Sequence, residues 1–169
     1  MNLRSLFLAA LAGTLATPAM AETKALSVAP GGHYLLADGK PFFWLGDTAW
    51  LLLSRVDRAE TETYLQTRKR QGFNVIQIMV LHTAKMTSRN GAPALIDGDP
   101  ARPPTTPRND PTKPDDYDYW DQLDWDAERA DALGLYLALV PVWGDIAMSK
   151  TLTPANAPIY GRFMAERYG

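Results

Sequence analysis

Phe42-Phe43-Trp44-Leu45-Gly46-Asp47-Thr48-Ala49-Trp50 decides how the rest of the chain is read. Four large apolar residues in a row predict a buried strand. The run breaks at Gly46, and Asp47, Thr48 and Trp50 come after it. α/β enzymes deliver polar side chains to the mouth of a sheet or barrel in this way, from the end of an apolar strand. The plainer reading is that Asp47 only caps the next turn, since Asp at strand ends is common turn chemistry.

Upstream, Leu26-Ser27-Val28 and His33-Tyr34-Leu35-Leu36 are short apolar runs. Pro30-Gly31-Gly32 and Asp38-Gly39-Lys40-Pro41 separate them from each other and from Phe42. Asp-Gly between such runs predicts a β-hairpin or short meander. His33, beside a turn, reads as a surface residue.

Downstream, Asp57 with Glu60 three residues later predicts a capped helix start. That helix runs to about Gln71, and Gly72 ends it. Phe73 to Leu81 reads as a strand apolar on both faces, which suits a parallel sheet covered by helices. A second helix is predicted over Tyr119–Leu133, with Trp120, Leu123, Ala127, Ala130 and Leu133 along one side. Gly134 ends it, and Leu135 to Trp143 forms the next strand, again apolar on both faces. A third helix starts at Thr153-Pro154 or Asn156-Ala157-Pro158 and reaches Tyr168.

Between His82 and Tyr117 lie Pro93, Pro100, Pro103, Pro104, Pro107, Pro111 and Pro114, seven of the chain's 13 prolines. No helix or central strand survives that density. The helix-then-strand pattern resumes after it, so the segment reads as a lid-like insertion rather than a linker.

Composition narrows the classes. Of 169 residues, 46% are hydrophobic and 21% charged, a globular balance. The net charge of −2 gives no reason to expect nucleic acid or a membrane surface as partner. With no cysteine there is no disulfide, thiol nucleophile or thiolate metal site. No motif calls for a cofactor or metal: a phosphate-binding glycine loop, a zinc-type His pair and a nucleophile elbow are all absent. The acids Asp115, Asp116, Asp118 and Asp121 match no calcium-loop spacing and read as charge at a helix N-terminus.

Residues 1–21 read as a cleaved signal peptide. Arg4 is the positive start, Leu6 to Leu15 the apolar core, and Ala19-Met20-Ala21 the cleavage site. The core is about half of the roughly 20 apolar residues a span needs. A periplasmic or secreted protein comprising residues 22–169 is expected.

The alternation of strands and helices makes the fold α/β with a parallel sheet. It is either a small open sheet or the start of a (β/α)8 barrel, which takes about 250 residues. Three such strands leave unpaired edges, so the chain reads as a fragment. The strand ends bring Asp47, His82 and Asp145 to one face, with Trp50 and Trp143 nearby. Carboxylates flanked by tryptophans suit sugars, because the acids bond hydroxyls while the rings stack on C–H faces. Each residue also has a plainer use: Asp145 as a cap, His82 as a partner for a loop carbonyl. Trp44, Trp120 and Trp125 read as packing residues.

Gly39-Lys40-Pro41 continuing through Trp50 resembles the apiosidase-like glycoside hydrolases. So do Gly72-Phe73-Asn74-Val75-Ile76-Gln77, Leu133-Gly134-Leu135-Tyr136, Pro141-Val142-Trp143-Gly144-Asp145 and Tyr160-Gly161-Arg162-Phe163. The resemblance covers about residues 26–169. It implies the first three βα units of a (β/α)8 TIM-type barrel, preceded by a short β-hairpin, from an enzyme cleaving pectic side chains of plant cell walls. It implies two catalytic carboxylates, one after the fourth strand and one on a later strand, both beyond Gly169. Asp47, Trp50, Trp143 and Asp145 match family motif positions and are expected at the substrate site, with His82 beside them on the strand-end reading. The fragment is expected to be inactive alone, with the missing C-terminal part of the barrel as a partner. The alternative is a non-catalytic carbohydrate-binding or partner-dependent protein.

Overall fold

The computed structural model describes residues 22–169, so the predicted signal peptide lies outside the described residues. The chain opens with an antiparallel meander of β1 (Leu26–Val28), β2 (Leu35–Ala37) and β3 (Lys40–Phe42). Leu26 pairs with Ala37, and Ala37 with Lys40. Asp38 and Gly39 both have positive φ, 51° and 72°. This two-residue turn matches the right-handed twist of the strands it joins.

Phe42 to Leu45 does not form one buried strand. Phe42 closes β3, Phe43 is 78% exposed and Trp44 46% exposed. The parallel strand β4 is only Gly46–Thr48. The cause is a side chain far along the sequence. Asn74 accepts from the Leu45 backbone N–H through Oδ1 (2.9 Å) and donates from Nδ2 to the Phe43 carbonyl (2.6 Å). These bonds turn the backbone between the two sheets. At Gly46 a Cβ would stand 2.9 Å from Trp44 Nε1, so a larger residue would have to displace the half-exposed Trp44 ring.

After β4 come α1 (Leu52–Arg55), α2 (Arg58–Arg70), β5 (Val75–Met79), α3 (Tyr119–Ala132), β6 (Tyr136–Val140), α4 (Gly144–Met148) and α5 (Ala157–Tyr168). The second sheet is parallel in the order β4-β5-β6, with Thr48 opposite Gln77 and Gln77 opposite Ala138. Both crossover helices are bounded by their own sequence. Asp57 and Glu60 form a capping box on α2, and Asp118 and Asp121 form one on α3. Gly72 (φ 88°) and Gly134 (φ 65°) end them. In each case the glycine N–H and the next N–H return to carbonyls of the last turn: Gly72 to Lys69, Phe73 to Arg68, Gly134 to Asp131, Leu135 to Ala130. This closure needs a left-handed residue, which glycine supplies without strain. The last helix uses the second predicted start, with Pro158 in its first turn. The short α4 has no sequence signal of its own, and no side chain caps it.

The core lies between the parallel sheet and the helices. Ile76, Ile78 and Val80 of β5 and its extension pack with Leu65 of α2 and Trp120, Leu123 and Ala130 of α3, all fully buried. Leu137 and Leu139 of β6 pack against this cluster while half-buried, although their sequence predicts cover on both faces. Trp120 meets the Phe163 ring of α5 edge-on at 4.7 Å between centroids.

The proline-rich segment is built into this core rather than laid over it. Met86, Ala94 and Leu95 are buried in the cluster, and Arg89 N–H donates to the Leu53 carbonyl. Its only regular pieces are 3-10 turns at Ile96–Gly98 and Pro114–Asp116 and one bridge between Thr87 and Pro93.

Candidate carbohydrate site at the strand ends

Parallel strands joined by helical crossovers end on one side, so β4, β5 and β6 deliver the residues after them to a common face. Backbone pairing carries on past each strand. Met79 N–H donates to the Trp50 carbonyl (3.3 Å), and Trp143 N–H donates to the Leu81 carbonyl (2.9 Å). That pairing sets Trp50 and Trp143 against each other. Their rings meet at 5.2 Å between centroids, 61° between planes, and each is 39% exposed. Two half-open indoles at the strand ends put exposed aromatic surface at this face.

His82 comes directly after Leu81 and is half-buried, with its backbone N–H on Met86 Sδ at 3.4 Å. It lines a cleft of about 410 Å³ with Leu51, Ser54, Arg55, Thr83 and Arg89. Leu51 follows Trp50 in the chain and His82 follows Leu81, whose carbonyl accepts from Trp143 N–H, so the cleft is lined by the connections that follow the same strands. Arg55 and Arg89 are exposed and form no salt bridge among the described residues. No carboxylate lines the cleft among the described residues. Asp145 lies two residues beyond Trp143 in the first turn of α4, exposed.

Asp47 is not brought to this group. Its neighbour Thr48 pairs with Gln77, so Asp47 points the opposite way, toward α2. There Tyr64 Oη donates to its carboxylate at 2.7 Å and Arg68 forms an ion pair with it. Burial alone would raise the Asp47 pKa, but the bonds from Tyr64 and Arg68 outweigh it and hold the carboxyl below the ordinary Asp value. Tyr64 is pushed up to about 12 by burial and by the same carboxylate. Arg68 also stacks over Tyr64 and Phe73, 4.9 and 5.7 Å from the ring centroids.

The family model described as "Apiosidase-like, catalytic domain" matches residues 29–169. This chain belongs to the apiosidase-like family. One solved structure, titled "Glycoside hydrolase", is 36% identical, with TM-score 0.74 over 86% of this chain and 31% of its own. Another, a glycoside hydrolase family 5 protein from Bacteroides vulgatus, is 33% identical, with TM-score 0.73 over 85% of this chain and 30% of its own. The chain therefore spans about a third of the length of these glycoside hydrolases. No curated protein matches it. Among the described residues no helix is long and apolar enough to cross a membrane, and no three metal-ligating side chains group together.

Sequence reasoning named Trp50, Trp143, His82 and Asp145 at this face of the apiosidase-like chain, but not Arg55 or Arg89. Those two lie on different connections and share no motif, so only the fold brings them together.

Proposed function

We propose that this chain is the first three βα units of a (β/α)8 glycoside hydrolase barrel, exported by residues 1–21, that acts on pectic glycans of plant cell walls. The observation that carries the substrate class is the cleft with two guanidiniums free of acidic partners among the described residues, on the connections after the strands that also lead to the tryptophan pair. A guanidinium without an acidic partner seeks carboxylate or phosphate. Uronic-acid residues present carboxylates on a ring whose C–H face stacks on an indole. In this reading Trp50 and Trp143 hold the ring, Arg55 and Arg89 hold the carboxylate, and His82 and Asp145 bond hydroxyls at the rim. Asp47 acts through the backbone, fixing β4 under Trp50 by its bonds to α2.

Glycosidic cleavage in most families uses two carboxylates, about 5 to 10 Å apart. In this proposal both come from polypeptide beyond these residues, which also supplies the remaining strands, and the chain alone hydrolyses nothing. The carboxylate-free cleft equally supports the second reading, a non-catalytic binding protein for the same acidic glycans.

Tryptophan fluorescence titrations of the 169-residue chain with oligogalacturonides and with neutral oligosaccharides of equal length test the reading. Saturable quenching by the acidic ligand is expected, weakened at least about tenfold by a double Arg55→Gln, Arg89→Gln change. Equal response to both ligands sinks the uronate assignment. Release of sugar by this chain alone would overturn the placement of the catalytic pair.

A further inference from the structure

The far end of the proline-rich segment is tied down by a polar chain that no substrate role uses. Tyr117, the residue before the α3 cap, is buried. Its hydroxyl donates to Gln122 Oε1 at 2.6 Å, and Gln122 Nε2 donates to Asp126 Oδ1 at 2.8 Å. From α2, Arg58 Nε donates to the Tyr117 hydroxyl at 3.2 Å. The Arg58 guanidinium lies over the Tyr117 and Trp125 rings, 5.0 Å from each centroid. Asp126 is fully buried, and its Oδ2 has no partner among the described residues.

Asp126 sits in the seam between α2 and α3. The Arg58–Trp125 contact and the Glu62–Arg129 ion pair bracket it, and Thr61, facing the same seam from α2, also has an unpartnered hydroxyl. The ionisable groups around it are Arg58 from α2, Tyr117 from the segment, and Tyr119 on its own helix. Glu62 and Arg129 are spent on each other. Among the described residues Arg58 is thus the one cation free to answer a charge on Asp126.

We propose that Asp126, Gln122, Tyr117 and Arg58 form a protonation-controlled latch that positions residues 102–118. With Asp126 neutral, its proton sits on Oδ2 and Arg58 stays on Tyr117, so the segment's end is held. When Asp126 loses that proton to solvent, a carboxylate stands in a seam whose uncharged donors are the Gln122 amide and the Thr61 hydroxyl. A buried charge without a cation is costly even when neutral donors bond it, and Arg58, the cation that already acts on Asp126, relieves it by moving from Tyr117 toward the carboxylate. Tyr117 then loses its charged donor and the cation over its ring, and the segment's end loosens. Burial pushes the Asp126 carboxyl up to about 7, against the lowering effects of Gln122 and Arg58, which puts the change in the range of ordinary extracellular pH.

The latch is independent of the sugar reading, and its test does not involve ligand. Amide hydrogen exchange across residues 102–118 of the full chain, corrected for intrinsic rates, is followed from about pH 5.5 to about 8.5. Protection is expected to fall about tenfold or more with a midpoint near 7. Asp126→Asn keeps the acceptor for Gln122 and cannot ionise, so it should stay protected throughout. Tyr117→Phe should show low protection at every pH. Flat protection in the wild-type chain overturns the proposal whatever the variants do, as does an unchanged pH step in Asp126→Asn.

Discussion

The two faces of the parallel sheet are built from alternate residues of the same strands, yet they are covered to different extents. On the helix side Ile76, Ile78 and Val80 are fully buried against α2 and α3. On the other side, the row Thr48, Gln77, Ala138 runs across all three strands with none of its members buried. Neither polar side chain in that row has a hydrogen-bond partner among the described residues. The helix face gets its cover from elements next to it in sequence; on the other face Val75 and Met79 of β5 are buried as well, and the open part is the row at Thr48, Gln77 and Ala138. In a barrel this second face is the interior, filled by layers of side chains from alternate strands.

The sharpest way to break the comparison is a matched pair of truncations. Ile78→Ala should cost about 3 kcal/mol, a typical loss for a fully buried large-to-small change. Val140→Ala, on the open face of the neighbouring strand, should cost about 1 kcal/mol or less, since its side chain is only half withdrawn from water. Denaturant unfolding of both variants measures the gap. Equal losses would mean that the open face is covered in solution by some other contact.

The helix side was legible in sequence because its signals are local. Asp57 with Glu60, Gly72 before Phe73, and Gly134 before Leu135 each state a boundary within a few residues. The open side and the site were legible only in part. Trp50 and Trp143 lie just past strands, so their convergence is a consequence of parallel topology. Phe42 to Leu45 misled because an apolar run has no signal of its own for bending; Asn74, far along the chain, supplies the bend. The proline-rich segment excluded regular structure correctly, but nothing in its composition said that Met86, Ala94 and Leu95 would enter the core.

The two capping boxes give a second contrast, smaller in size. Asp57 caps α2 at an exposed position with one bond, to Glu60 N–H at 2.9 Å. Asp118 is buried and takes the N–H groups of Trp120 and Asp121 while also holding Thr106 N–H of the proline-rich segment at 2.6 Å. Asp57→Ala should cost about 1 kcal/mol and Asp118→Ala about 2 kcal/mol. Only the second should also loosen the segment around Thr106, which trypsin cleavage after Arg108 would report.

Asp47 and Thr48 bring the contrast down to adjacent residues. Asp47 faces α2 and holds Tyr64 and Arg68; Thr48 faces the open side and is exposed. Thr48→Val should change stability by less than about 0.5 kcal/mol. Asp47→Asn keeps the shape and removes the charge, so at neutral pH it should cost about 1 kcal/mol, modest because both partners are partly exposed. The lowered carboxyl pKa fixes the sign of its pH dependence. In the unfolded chain Asp47 takes up a proton near 3.8, while in the fold it resists protonation to lower pH. Its contribution is therefore complete above the unfolded value and is lost as pH falls through the folded one. Wild type and Asp47→Asn should differ most above about pH 5 and converge in strong acid, read as unfolding midpoints from about pH 2 to about 7. A gap that stays constant down to about pH 2 would mean that Asp47 stabilises β4 through shape and neutral bonding, not through its charge.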